Sequence, residues 1–229
     1  MYLSSWTIYP IYIEKFLKKI LRQQIQILQN IVSRKGSSKI LTFSIPHVFK
    51  ALQLLYQDKF VSRSKFSQEL HLGEGAIKTL ILHLKDAKMV DTTKSGTYLT
   101  PKGRKFCENL SNAIPSECSL TRCKIASEKY NHAIILKNYS YAIKTGLEQR
   151  DFAILYGSSG CITLIYKNDG FVFPGENLDC LADDQNTRKK ILENLCPEQN
   201  DVIIITSSND PFVSEVSAKN SALWTLATG

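Results

Sequence analysis

The stretch from Leu72 to Val90, LGEGAIKTLILHLKDAKMV, constrains the fold of this chain more than any other. Apolar residues recur in it at the i, i+3, i+4 and i+7 positions of a helix, which predicts that one face of the helix is buried. The residues of this face are Ile77, Leu80, Ile81 and Leu84. Lys78 and His83 fall on the opposite side, so we expect both side chains to face solvent.

The residues on either side of this helix predict a helix-turn-helix that is followed by a β-hairpin. Phe66 to Leu70 has the pattern of a second short helix, and the two helices would meet at His71 to Gly73 with the spacing of a helix-turn-helix. Downstream, a polar run separates two short apolar pairs. This pattern predicts a hairpin with its tip at Lys94-Ser95-Gly96, which is a wing, and Thr100-Pro101 then begins a closing helix.

The charge of the chain is unevenly distributed. Residues 1–115 carry 18 Lys+Arg and 7 Asp+Glu, a balance of 18 − 7 = +11, whereas residues 116–229 carry 11 and 14, a balance of −3. The two balances sum to the formal net charge of +8. A basic half joined to a mildly acidic half favours a polyanionic partner for the first half only, although a generally basic surface would give the same count.

A helix-turn-helix places its second helix in the major groove of duplex DNA, with the exposed side chains near the base edges. Small residues at Gly75 and Ala76 would allow close approach, and Ala76 could contact a thymine methyl group. Lys78 could reach either a guanine edge or a phosphate. The predicted DNA contacts are Arg63, Lys65, Gly75, Ala76, Lys78, Thr79, His83, Lys85 and Lys94. The alternative is a docking surface for another protein, with the same charges solvated.

The second half of the chain predicts the element order β-α-β-β-α-β-α. Asn168-Asp169-Gly170 predicts a tight hairpin turn between the second and third strands, and the last strand, 202–206, is apolar without interruption. This order indicates an α+β or α/β domain, of which the ferredoxin-like fold is one example. We predict an N-terminal amphipathic helix at 1–32, a winged-helix domain at 40–113 and the α/β domain at 120–229, with a linker at 114–119 between the last two.

Several segments resemble a known family. LGEGAIKTLILHLKDAKMV and SGTYLTPKGRKF resemble the recognition helix, wing and closing helix of archaeal winged-helix regulators. AIKTGLEQRD, TLIYKNDGFVFPG and DVIIITSSND are similar to segments of the family catalogued as domain of unknown function 4443. The resemblance spans roughly residues 30 to 227. It implies a DNA-binding transcriptional regulator, and it implies neither a ligand nor a catalytic residue. The cysteines, read as free thiols, lead us to expect a cytoplasmic protein.

The N-terminal segment predicts a long amphipathic helix, and its partner is left open. From Phe16 to Ile31 apolar residues form one stripe, with lysine and glutamine on the other side. The stripe could pack on its own domain, on a second subunit or on a membrane surface. A stripe of this length beside a small DNA-binding domain favours the subunit contact, and therefore a homodimer.

The sequence predicts no enzyme, cofactor or metal site. It contains none of the phosphate-loop, dinucleotide-binding, zinc-protease or nucleophile-elbow motifs. Gly157-Ser158-Ser159-Gly160 resembles a phosphate loop, but it follows a predicted helix and precedes a strand, so we interpret it as a helix end and turn. The six cysteines have no zinc-like spacing. Free thiols are expected, and a disulfide between Cys118 and Cys123 is the alternative.

A small-molecule effector is the second function that the sequence suggests. The end of the last strand and the start of the last helix form a position at which α/β sheets bind ligands. Helix capping alone would also explain Asp210, and Arg150 and Asp151 form either a surface ion pair or part of a pocket wall. The candidate ligand residues are Lys144, Arg150, Asp151, Ser207, Ser208, Asn209 and Asp210.

Overall fold

The computed structural model describes residues 8–33, 41–126 and 128–229, with side chains from Lys18 onward. The first half contains helices α1 (Ile8–Ile31), α2 (Ile45–Gln57), α3 (Arg63–Leu70) and α4 (Glu74–Asp86). Strands β1 (Val90–Thr93) and β2 (Gly96–Leu99) follow, and helix α5 (Pro101–Ala113) closes this half. The predicted sequence of helix-turn-helix, hairpin and closing helix is confirmed.

Ser62 and Thr100 each precede a helical pattern in the sequence, which predicts them as helix caps, and both caps are present. The Lys65 backbone N–H donates to Ser62 Oγ at 3.1 Å where α3 begins. The Gly103 backbone N–H donates to Thr100 Oγ1 at 3.1 Å, and Pro101 occupies the first helical position of α5. Each cap satisfies a backbone donor that the helix itself leaves unpaired, so each start is specified locally.

The second half contains strands β3 (Glu117–Leu120) and β4 (Tyr130–Leu136), helix α6 (Leu147–Ile154), and strands β5 (Gly160–Lys167) and β6 (Gly170–Val172). Helix α7 (Gln185–Leu195), strand β7 (Val202–Ser208) and helix α8 (Pro211–Thr228) complete it. The sequence pattern over 141–156 predicts one helix, of which α6 covers only the part from Leu147 to Ile154. Helix α6 begins only after Gly146, whose φ of +81° is left-handed and therefore incompatible with a continuous helix.

The strands of the second half form one antiparallel sheet in the order β3-β4-β7-β5-β6. The mixed α+β class is confirmed, but the strand order is not ferredoxin-like. A ferredoxin-like sheet places its last strand at an edge, whereas β7 lies in the middle, between β4 and β5. The edge strand β3 begins within the predicted linker and covers its second half, residues 117–119. Its four residues, ECSL, are too short and too polar to give a strand signal.

Helices cover both faces of this sheet. On one face, Ile134, Leu136 and Ile204 pack in the same core as α8 and the helices of the first half. On the other face, Ile135 and Ile203 pack with α7. Burial on both faces explains why the residues of β7 are apolar without the alternation of a half-exposed strand. The winged-helix half and the sheet therefore share one hydrophobic core.

Helix α1 packs on its own chain from Leu21 onward. Leu21, Ile25, Leu28 and Ile31 are buried in the core that also contains residues of α2, α5 and α8. This part of the stripe is therefore not free for the subunit contact that we predicted, because it is already covered. The earlier part of the stripe, with Phe16 and Leu17, lies outside the side chains that the structure describes, as does most of the polar break at 33–38.

Candidate nucleic-acid interface

The turn between α3 and α4 sets the orientation of α4 relative to α3. His71 adopts a left-handed conformation (φ 52°) at the end of α3. The Ser67 hydroxyl donates to the Leu72 carbonyl oxygen at 2.5 Å, and the His71 ring stacks on Phe212 of α8 with ring centroids 4.2 Å apart. The second half of the chain thus supports this turn from behind, while Gly73 and the first turn of α4 remain exposed.

The wing is attached to the segment that precedes α3. The register of its two strands pairs Val90 with Leu99 and Thr93 with Gly96, so the turn lies at Lys94-Ser95 as predicted. Val61 and Thr97 exchange two backbone hydrogen bonds of 2.9 Å, so that Val61 pairs with β2 in an isolated antiparallel bridge. Gly96 has a φ of +133°, and a Cβ there would lie 2.8 Å from the Val61 carbonyl oxygen. Only glycine allows this close approach.

A groove of about 490 Å³ lies between α4 and the wing. Four cationic side chains line it: Arg63, Lys78, Lys85 and Lys94. The other lining residues are Val61, Ser62, Ile81, Leu82, Thr92, Thr93, Ser95, Gly96 and Thr97. Within the part of the chain that the structure describes, no carboxylate lines this groove. A concave, cationic surface of this composition attracts a polyanion.

Two of the predicted lysines are engaged by carboxylates. Lys65 Nζ lies 2.6 Å from Asp58, and this hydrogen bond raises the pKa of the lysine. Lys85 Nζ lies 2.9 Å from Asp91, and its hydrogen bond lowers the pKa of that carboxyl. Each carboxylate therefore offsets part of the positive charge of its lysine. Lys78, which is exposed, therefore contributes more of the positive potential than either of them.

His83 is not on the exposed side of α4, contrary to our prediction. Its side chain is buried, and Nδ1 donates to the Ile31 carbonyl oxygen at 2.6 Å. Its ring also meets Phe43 edge-to-face, with ring centroids 5.7 Å apart. The end of α1 covers this side of α4, and no helical periodicity within α4 could have shown that.

The remaining predicted contacts lie at the start of α4. Gly75 is exposed, and Ala76 and Thr79 are partly buried. The Thr79 hydroxyl donates to the Gly75 carbonyl oxygen at 3.0 Å, so it is already satisfied within the helix. Sequence analysis missed Leu82, which is 57% exposed and lines the groove. The sequence indicates this residue only as a leucine on the polar side of an otherwise regular amphipathic helix.

The predicted ligand residues lie at two places in the second half of the chain, around α6 and at the start of α8. Arg150 and Asp151 form an ion pair of 3.5 Å on the exposed side of α6, and Lys144 is exposed in the turn before that helix. Asp210 accepts hydrogen bonds from two backbone N–H groups of α8, at 2.7 and 3.1 Å, so it is the helix cap.

The serines beside this cap also support the local fold. The Ser207 carbonyl oxygen accepts from the Ser159 N–H at 2.9 Å. Ser208 Oγ accepts from the Asp210 N–H at 3.2 Å, and Asn209 is exposed beside them. A cavity of about 280 Å³ lies elsewhere, where α1 and the end of α5 meet Tyr139 and Tyr141.

The loop at 157–160 is a helix end, as we interpreted it. The Gly157 N–H donates to the Ile154 carbonyl oxygen at 2.9 Å, and its φ is +89°. In the described ranges, the six cysteines have free thiols and no cluster of three metal-ligating side chains occurs. None of the helices described is long and apolar enough to span a membrane.

Comparison with known proteins relates the second half to a family and gives the fold a precedent. The family model described as "Domain of unknown function (DUF4443)" matches residues 127–226, a shorter span than the resemblance we had drawn. No curated protein matches the chain. The solved structure of hypothetical protein PH0730 from Pyrococcus horikoshii OT3 is similar, with a TM-score of 0.63 and 26% identity over 79% of this chain and 91% of that chain.

A MarR-family protein of Mycobacterium tuberculosis is also matched, over 44% of this chain and 70% of that chain. Its identity is 20% and its TM-score is 0.29, a value that supports no conclusion about the fold. Residues 127–226 of this chain, which include most of the antiparallel sheet, are therefore similar to the family known as DUF4443.

Proposed function

We propose that this chain is a DNA-binding transcriptional regulator. Helix α4 enters the major groove of a duplex, and the wing lies along the neighbouring phosphate backbone. The observation that carries this proposal is the groove between α4 and the wing, which is lined by four cations and is open to solvent. Helix insertion reads base edges, and cationic side chains at the groove rim neutralise phosphates.

Duplex binding is expected to weaken steeply as the salt concentration rises, because bound cations release counterions from the DNA. Changing Lys94 or Lys78 to methionine should lower affinity for all duplexes. It should also reduce the slope of log K against log salt by about 1 for each phosphate that is no longer neutralised. Fluorescence anisotropy of labelled duplexes at several salt concentrations measures both quantities.

Lys189→Met is the matched control. Lys189 is exposed on α7, in the other half of the chain, and pairs only loosely with Glu193 at 3.7 Å. This variant should bind like the wild type. If Lys78→Met alters preference at one base pair and leaves the slope unchanged, Lys78 contacts a base edge rather than a phosphate. If wild-type binding is insensitive to salt, the groove is not a DNA-binding surface.

Protein docking is the second candidate function, and the exposure of Leu82 is the observation that favours it. An exposed leucine beside charged residues is also what a protein interface provides. Measuring the affinity for random duplex DNA at several salt concentrations distinguishes the two functions. A surface that docks another protein predicts no salt-dependent affinity for such DNA.

We also infer a homodimer, supported by helix α6. Leu147 and Ile154 on this helix are 52% and 48% exposed, and Leu155 at its C-cap is 73% exposed. Arg150 and Asp151 on the same helix offer opposite charges to an antiparallel second copy. Leu155→Glu should raise the dimer dissociation constant at least about tenfold in sedimentation equilibrium. Leu178→Glu, at an equally exposed leucine away from α6, should not, and a monomeric wild type would contradict the dimer.

A further inference from the structure

The centre of the exposed face of α4 is apolar, although the groove around it is cationic. Gly75, Thr79 and Leu82 are spaced three or four residues apart and so lie on one face of the helix. Gly75 has open space around its Cα, and the Thr79 hydroxyl is satisfied by the Gly75 carbonyl oxygen. Together with the exposed Leu82, this face therefore presents methyl groups rather than hydrogen-bonding groups.

Packing within the chain does not explain Leu82. Its side chain is 57% exposed, while the apolar stripe of the same helix, Ile77, Leu80, Ile81 and Leu84, is buried. Leu82 instead lines the groove together with Lys78 and Lys85. A leucine held there meets whatever occupies the groove.

Among the side chains that usually read purines, helix α4 carries only lysines, of which Lys78 and Lys85 line the groove. Its sequence, EGAIKTLILHLKD, contains no arginine, asparagine or glutamine for a bidentate contact with guanine or adenine. Its two carboxylates, Glu74 and Asp86, are at the helix ends and do not line the groove. In the major groove of DNA, the apolar group on a base edge is the C5 methyl of thymine.

We propose that Leu82, together with the Thr79 methyl group, recognises thymine C5 methyl groups in the major groove. The preferred duplex therefore contains A·T pairs whose thymines face α4, and the lysines around them hold the backbone without specifying sequence. This inference rests on the proposed DNA binding and specifies the chemical group on the DNA that the site recognises.

The experiment begins with selection of duplexes from a random library by the full chain. In the selected duplex, each thymine is then replaced by deoxyuridine, which removes the C5 methyl and leaves base pairing unchanged. Affinity should fall about fourfold for each contacted methyl, the value expected for one buried carbon group of about 0.8 kcal/mol. Thymines outside the α4 contact should tolerate the replacement without change.

The variant Leu82→Ala should remove most of the difference between thymine and deoxyuridine while leaving the salt dependence unchanged. Leu178→Ala is the matched control, because Leu178 is 78% exposed and lies in the other half of the chain. It should retain the wild-type thymine preference. Both leucines are exposed, so neither variant is expected to unfold the protein.

Four outcomes would overturn methyl recognition. A selected site without thymine, or equal affinity for thymine and deoxyuridine duplexes, overturns it and leaves the proposed DNA binding intact. A thymine preference that survives undiminished in Leu82→Ala also overturns it, because Leu82 would then not contact the methyl. The absence of binding to any duplex overturns the proposed function, and the methyl recognition fails with it.

Discussion

Replacing Lys219 by methionine is expected to destabilise the protein by about 3–5 kcal/mol, the usual cost of removing one partner from a buried ion pair. Lys219 lies on α8 with no exposed side-chain surface. Its ammonium contacts the carboxylate of Glu117 on β3, lies 2.7 Å from Gln53 Oε1 on α2 and lies 3.3 Å from Glu215. Without the cation, the partly buried Glu117 carboxylate loses its ammonium partner, whereas Glu215 keeps Lys50 at 2.7 Å.

The double variant Lys219→Met with Glu117→Gln is the control. It removes both charges, so part of the stability should return. Urea denaturation followed by circular dichroism gives the free energy of unfolding for each variant. A Lys219→Met protein as stable as the wild type would show that this ion pair contributes nothing.

The same carboxyl predicts a pH dependence. Burial alone would raise the pKa of Glu117, but Lys219 and His132 favour its charged form more strongly and hold its pKa well below the ordinary 4.5. A lowered folded-state pKa contributes stability above pH 4.5, and this contribution is lost as the pH falls below that value. The stability difference between wild type and Glu117→Gln should therefore shrink between about pH 6 and pH 3. A constant difference would contradict this assignment.

This ion network also connects the two halves of the molecule. Lys50 of α2 lies 2.7 Å from Glu215 of α8 and 3.9 Å from Glu69 of α3. Phe212 of α8 stacks on His71 in the turn that orients α4. A change in the position of α8 would therefore alter its direct contacts with the helix-turn-helix.

Gly103→Ala should have the second large effect, a destabilisation of about 3 kcal/mol, at the upper end of the usual cost of overpacking. A Cβ at this position would lie 2.9 Å from the Met89 carbonyl carbon and closer still to its oxygen. Both atoms belong to the backbone, so α5 would have to move away from the base of the wing. Thermal unfolding of the variant measures the destabilisation.

Gly75→Ala provides the matched control with the opposite sign. Nothing lies within 4 Å of a Cβ at this exposed position of α4. Because alanine favours helix over glycine, this variant should be more stable by up to about 1 kcal/mol. Equal effects of the two substitutions would show that α5 does not pack against the Met89 backbone as closely as described.

Much of the first half was predictable because its signals are local. The caps Ser62 and Thr100 and the wing turn at Lys94-Ser95 depend on neighbours within a few residues, and all are confirmed. For the candidate site, the sequence correctly predicted that Lys78 is exposed, and the structure places the predicted contact Lys94 in the groove lining. It missed Leu82, because one leucine on a polar helix face predicts nothing by itself.

What the sequence determined by itself was the set of helices and hairpins, since periodicity, caps and turn residues act over a few positions. Only the tertiary structure decided that β7 lies in the middle of the sheet, that α1 covers His83, and that Lys219 is buried against Glu117. Each of these depends on contacts between residues separated by 52 to 102 positions, or on strand order. Such contacts depend on how the faces of helices and sheets pack against one another, and a pattern of neighbouring residues in the sequence does not contain that information.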